Sequence, residues 1–206
     1  MIGFYNYTVI LTYIGTFFGF LGITYIWSDN LKASLIALLV AGFCDMFDGK
    51  VASTMKRTKN EKRFGVQIDS LSDLICFGVL PSLIGYYCSD RTILHIIISC
   101  AYLLCALIRL AWFNVDEENR QEKESGSREI YLGLPVTLAA LLFPFFIGLS
   151  MILDLSIGKV TPWLLIFTAI AFISPFQLKK PKAAGKAAIL VFGTITLAII
   201  MIGVIL

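Results

Sequence analysis

Four aspartates, Asp45, Asp48, Asp69 and Asp73, stand inside runs of otherwise apolar residues, three apart in the first pair and four apart in the second. On a helix either spacing puts both carboxylates of a pair on one face. Two such faces turned toward each other make a compact cage of carboxylate oxygens. Oxygen-only ligation suits a hard cation, Mg²⁺, Mn²⁺ or Ca²⁺, rather than zinc.

The placement is costly. An aspartate at the centre of a membrane helix costs about 2.5–3.5 kcal/mol, so four represent on the order of 10 kcal/mol that partners must offset. Away from the ends of the apolar runs, only Lys50 and Arg109 are cations. Four carboxylates against two cations leave a deficit that bound metal fills. The alternative, four neutralised or water-solvated carboxylates in a polar cavity, accounts less well for their clustering. Small residues flank the cage: Gly49 and Ala52 follow Asp48, and Gly65 precedes Asp69. They leave room for a bulky group, although small residues in membrane helices also serve close packing.

The elements that position these groups are helices in lipid. The chain has 206 residues, 58% hydrophobic and 15% charged, with a mean hydropathy of +0.83, far from the composition of a soluble domain. Stretches near 6–27, 31–53, 66–88, 92–114, 133–153, 161–176 and 185–206 approach the roughly 20 apolar residues of a membrane span, the sixth being the shortest. The fold expected is an all-α integral membrane protein, a bundle of six to seven transmembrane helices with an aspartate-lined polar cavity at its cytoplasmic side, forming one domain over residues 1–206. The first stretch lacks a basic lead and a cleavage site, so it reads as a membrane helix rather than a signal peptide.

Lysine and arginine between the stretches number twelve on one set of alternate links and three on the other (Lys32, Arg91, Lys159). That asymmetry places the amino terminus and the links 54–64 and 115–130 in the cytoplasm. The first link is basic; the second is of mixed charge and reads as a solvated, mobile loop. Cys44, Cys76, Cys88, Cys100 and Cys105 lack metal-ligand spacing and read as small core residues. Nothing in the chain calls for nucleic acid.

Asp45-x-x-Asp48-Gly49-x-x-Ala52, followed by Gly65-x-x-x-Asp69-x-x-x-Asp73, resembles the signature of the CDP-alcohol phosphatidyltransferase family. Two departures stand out: Ser53 occupies the place of the family's arginine, and the interval from Ala52 to Gly65 is three residues longer than the pattern. Lys56 or Arg57 in the lengthened link are the cations at hand. Phe64-Gly65, Ile68 to Asp73, Phe77-Gly78, Pro81, the run Arg109-Leu110-Ala111-Trp112-Phe113-Asn114 and Gly133-Leu134-Pro135 resemble the phosphatidylserine synthases of that family, with Trp112 where a second arginine is usual.

The resemblance implies transfer of a phosphatidyl group from CDP-diacylglycerol to L-serine, with CMP released, in the cell membrane and on its cytoplasmic side. It implies that Asp45, Asp48 and Asp69 hold metal on the CDP-lipid diphosphate, and that Asp73 is the general base and sits beside a second ion. Asp48, Gly49, Ala52, Ser53, Gly65 and Asp69 would then contact the CDP-lipid. Arg109, Asn114, Lys56 and Arg57 are weaker candidates for acceptor or phosphate contacts; for Arg109 a structural salt bridge is an equal alternative. Ser70 and Ser72 are minor candidates, and His95 reads as packing. A homodimer surrounded by membrane lipids is the expected assembly. The rival readings are a sister enzyme using glycerol 3-phosphate or an inositol, a metal-dependent prenyltransferase, and an ion- or proton-coupled transporter.

Overall fold

Short polar links set the helix boundaries. Asn6 accepts the backbone N–H of Thr8 (3.2 Å) at a 3₁₀ turn, Tyr7–Val9, which leads into α1, Ile10–Trp27. Asn30 caps α2, Leu31–Ala52, by accepting the Ala33 N–H (3.1 Å). Thr58 and Glu61 form a reciprocal capping box that starts α3, Lys59–Asp73. That helix continues without a break through a π-helical turn, Leu74–Val79, into α4, Leu80–Cys88. The remaining helices are α5 (Ile93–Lys123), α6 (Ala139–Ile152), α7 (Ile157–Ile173) and α8 (Ala183–Ile202). The computed structural model describes residues 3–123, 130–179 and 183–203.

The protein is all-α and membrane-spanning in character, with 82% of the described residues helical. Among the described residues, four apolar helices have the length to cross a bilayer, Tyr7–Trp27, Lys59–Cys88, Ile93–Arg120 and Ala184–Ile202, and two shorter ones, Val136–Ile152 and Ile157–Ile173, accompany them. α2 matches them in length at 22 residues, but carries Lys32, Asp45, Asp48 and Lys50.

Three expectations need correction. Residues 115–123 are not loop: α5 runs on to Lys123, held by an Arg120–Glu117 ion pair at 2.6 Å and tied to α3 by Arg63–Glu118 at 3.5 Å. Residues 124–129, and with them Arg128, lie outside the described residues, as do Lys180 and Lys182. The link 54–64 is likewise half helical, because the capping box starts α3 at Lys59. Of the cysteines, Cys44 and Cys76 are buried as expected, whereas Cys100 is exposed on α5.

One element was not foreseen. Strands β1 (Ile130–Leu132) and β2 (Gln177–Lys179) pair antiparallel, with Tyr131 opposite Leu178. The ribbon joins the lead-in to α6 with the lead-in to α8. At three residues each, neither strand carries enough alternation to be read from sequence.

The centre of the bundle is the α3–α4 rod. Phe77, Leu80 and Ile84 are fully or almost fully buried against Leu35, Leu38, Tyr102 and Phe143. Helix α1 approaches it closely through a glycine stripe. A Cβ on Gly19 would stand 2.6 Å from Cys76 Sγ, and one on Gly22 would stand 2.7 Å from a Leu80 methyl. Small residues here let the backbones meet, as is general where lipid removes the hydrophobic drive for helix association.

Candidate functional site

The four aspartates come from two helices, Asp45 and Asp48 from α2 and Asp69 and Asp73 from α3. α2 packs mainly on α1 and α6 rather than on α3, so the carboxylates bridge a cleft. Asp48 of α2 meets Asp69 of α3 at hydrogen-bonding range, and Asp45 meets Asp73 in the same way. Carboxylates this close, in partly buried surroundings, hold either a proton or a cation between them.

The donor set fits a metal. One oxygen each from Asp45, Asp48 and Asp69 lies within 4.8 Å of the others. Ligands about 2.0–2.6 Å from a shared hard cation stand up to about 4–5 Å apart, so this spacing lies within that reach. All four aspartates also line one small void of about 10 Å³, close to the space a single water-sized particle needs. The cluster of three is Asp45, Asp48 and Asp69; Asp73 stands beside it through Asp45.

Neighbouring helices hold the rod that carries Asp69 and Asp73. The Ser72 hydroxyl pairs with Thr16 Oγ1 (2.7 Å) and reaches the Thr12 carbonyl (3.4 Å), while Cys76 donates to the Gly15 carbonyl (3.3 Å). On the other side Ser70 donates to Asn114 Oδ1 (2.9 Å), which fixes α3 to α5. Ser70, Ser72 and Asn114 therefore act first as struts. The wide π-helical turn begins one residue after Asp73. Its Phe77 carbonyl accepts the buried Tyr102 hydroxyl at 2.7 Å. Such turns leave backbone groups in need of partners and concentrate at functional sites.

A larger cavity, about 760 Å³, opens beside the cage between α2, α6 and α8. Asp45, Asp69 and Asp73 line one end, together with Arg109, Lys179 and Lys186; Leu39, Phe43, Leu141 and Leu197 are among its apolar walls. Arg109 is 6% exposed, its Nε donates to the Leu134 carbonyl at 3.2 Å, and its guanidinium lies 5.7 Å from the Phe113 ring. The guanidinium thus faces a ring and lines the same cavity as Asp45, Asp69 and Asp73.

Lys179 and Lys186 belong to no motif and enter the sequence argument only through the charge asymmetry of the links. Lys186 acts electrostatically on Asp45, although 141 positions separate the two. The one available signal was that Lys186 stands in the first turns of an otherwise apolar helix.

The other expected residues are dispersed around the cage. Gly49 is exposed, with nothing within 4 Å of where its Cβ would be, and Ala52 is half-buried one turn after Asp48. Ser53 is exposed and turns back to donate to the Lys50 carbonyl (2.7 Å). Lys56 is exposed, and Arg57 is half-buried against Gly65. His95 lies away from the site, pairing with Thr92 at 2.9 Å.

Comparisons with known proteins name the family. The sequence model for CDP-alcohol phosphatidyltransferase matches residues 5–206. A CDP-diacylglycerol–serine O-phosphatidyltransferase of Bacillus subtilis is 30% identical over 139 residues, 66% of this chain and 72% of that one. An archaetidylserine synthase of Methanothermobacter thermautotrophicus is 30% identical over 82% of this chain and 67% of its own. A CDP-diacylglycerol–serine O-phosphatidyltransferase of Saccharomyces cerevisiae is 35% identical over 50% of this chain and 38% of its own. With the match running almost end to end and the aspartates gathered in one cage, the chain belongs to the CDP-alcohol phosphatidyltransferase family.

Proposed function

We propose that this protein transfers the phosphatidyl group of CDP-diacylglycerol to the hydroxyl of L-serine, releasing CMP. The observation that carries the reading is the union of a carboxylate cage with an apolar cavity that also holds cations. A CDP-lipid has a diphosphate for the first and acyl chains for the second. The names of the relatives support serine as acceptor: they share serine although the lipids they name differ.

In this reading Asp45, Asp48 and Asp69 hold one or two divalent cations, Mg²⁺ or Mn²⁺. Bound there, such ions supply charge neutralisation for the diphosphate and the departing CMP. Gly49, Ala52, Ser53 and Gly65 leave space for the nucleotide. Asp73 takes the proton from the serine hydroxyl as its oxygen forms a bond to the lipid-side phosphorus. The bond from that phosphorus to the bridging oxygen breaks, and CMP leaves with the electron pair. Asp73 suits this task because the struts on Ser70 and Ser72 fix the rod that carries it. Arg109 stands where it pairs with the serine carboxylate or the lipid phosphate.

The charge asymmetry of the links supports an active site on the cytoplasmic side of the cell membrane, with α2 crossing alongside the other helices. The whole chain then forms one domain, working as a homodimer. The test is product identity: purified protein in detergent, given CDP-diacylglycerol, serine and Mg²⁺, should yield phosphatidylserine by mass spectrometry. Uptake of serine into vesicles without any lipid product would instead favour a transporter.

A further inference from the structure

We propose that Arg57 is the cation that grips the donor's phosphates at the nucleotide end of the cage, a role that Ser53 cannot fill. The inference rests on the CDP-lipid reading above. Ser53 is a hydroxyl at the carboxyl end of α2, satisfied by the Lys50 carbonyl at 2.7 Å. It carries no charge and is turned back onto its own helix.

Arg57 is placed differently. It leaves the link after α2 and folds its guanidinium onto α3, where Nη1 stands 3.0 Å from the point a Cβ on Gly65 would occupy. Only glycine gives that clearance without displacing the guanidinium. Gly65 lies four residues before Asp69, so guanidinium and carboxylate share one face of α3, about one turn apart. Across the cleft on α2 the corresponding turn carries Gly49 and Ala52, and the space over Gly49 is empty to 4 Å. Small residues thus flank the outer side of the Asp48–Asp69 contact on both helices, with Arg57 over Gly65.

The guanidinium is also unfinished. Its Nε is sealed from solvent and has no hydrogen-bond partner. A buried donor left unsatisfied is unfavourable, and an incoming acceptor relieves it. Glu61, held by the capping box and by Asn6 Nδ2 at 3.2 Å, attracts the guanidinium electrostatically and keeps it there. The planar fork then meets phosphate oxygens in bidentate fashion. Lys56, exposed one residue earlier, has no such seat.

The test is a CDP-diacylglycerol titration of CMP release at saturating serine, with purified full-length protein. Arg57→Ala should raise KM for CDP-diacylglycerol about 10-fold or more, the loss expected for one charge-assisted contact, while KM for serine stays unchanged. Lys56→Ala should behave as wild type. Adding Ser53→Arg to Arg57→Ala should bring KM back toward the wild-type value, because it returns a guanidinium to the same end of the cage. A merely structural Arg57 would show no such recovery. The proposal is overturned if Arg57→Ala leaves the donor KM unchanged, if the serine KM rises instead, or if Ser53→Arg restores nothing. Wild-type protein that releases no CMP from CDP-diacylglycerol with any acceptor would overturn the underlying reading, and this proposal with it.

Discussion

The hydroxyl of Tyr102 on α5 donates to the carbonyl of Phe77 at 2.7 Å, inside the π-helical turn that begins immediately after Asp73. Tyr102 is fully buried, with its ring between Phe143 and Phe172 at centroid distances of 5.6 and 5.4 Å. One hydrogen bond in the core thereby ties α5 to the rod carrying Asp69 and Asp73 just beyond the cage. Tyr102→Phe keeps the ring and strands the carbonyl, so it should cost about 1–3 kcal/mol. In a thermal melt that is a fall of several degrees, at about 2–4 °C per kcal/mol for a chain of this size. Wild-type melting would show that the π-helical turn does not depend on this bond.

Asp73 and Asp48 should separate by function. Asp73→Asn removes the base and should cut transfer about 100-fold or more, yet leave CDP-lipid binding partly intact. Asp48→Asn breaks the three-oxygen set and should lose both. Titration calorimetry with CDP-diacylglycerol, beside CMP release, distinguishes the two. Equal loss of binding would make Asp73 one more ligand.

Ser70 and Asn114 are joined at 2.9 Å, which makes their roles inseparable. Ser70→Ala and Asn114→Ala should each reduce turnover modestly, and the double variant should be no worse than either, since both remove one strut. Steady-state kinetics on the four proteins of that cycle check it. Additive effects, or a selective rise in serine KM for Asn114→Ala, would return Asn114 to the role of acceptor contact.

Chelation should silence the protein reversibly. EDTA should abolish CMP release, with Mg²⁺ or Mn²⁺ restoring it, and calorimetry should detect Mn²⁺ binding to wild type but not to Asp48→Asn. The oxygen-only donor set favours these hard ions over zinc. Undiminished transfer in EDTA would leave the cage without its proposed occupant.

Much of the site was legible in the sequence because charge placed in lipid is so unfavourable that it stands out against an apolar background. Asp45, Asp48, Asp69 and Asp73 betray themselves by type and spacing, and the structure brings all four to one void. Helices were legible for a related reason, since a long apolar run in lipid has few other ways to satisfy its backbone. What escaped were relationships between distant segments. The approach of Lys186 to Asp45 depends on where α8 packs, and the seat of Arg57 on Gly65 depends on how the link folds back. The charged run after Asn114 reads as loop because its polarity suits solvent. It is helix because the ion pairs Arg120–Glu117 and Arg63–Glu118 support it.

The central claim is the acceptor, and a single comparison tests it most directly. CMP release from CDP-diacylglycerol is measured with Mg²⁺ or Mn²⁺ present and serine, glycerol 3-phosphate, inositol or no acceptor added. Serine alone should drive release well above the blank. Release that ignores serine, and rises instead with glycerol 3-phosphate or inositol, would contradict the assignment while leaving the family intact.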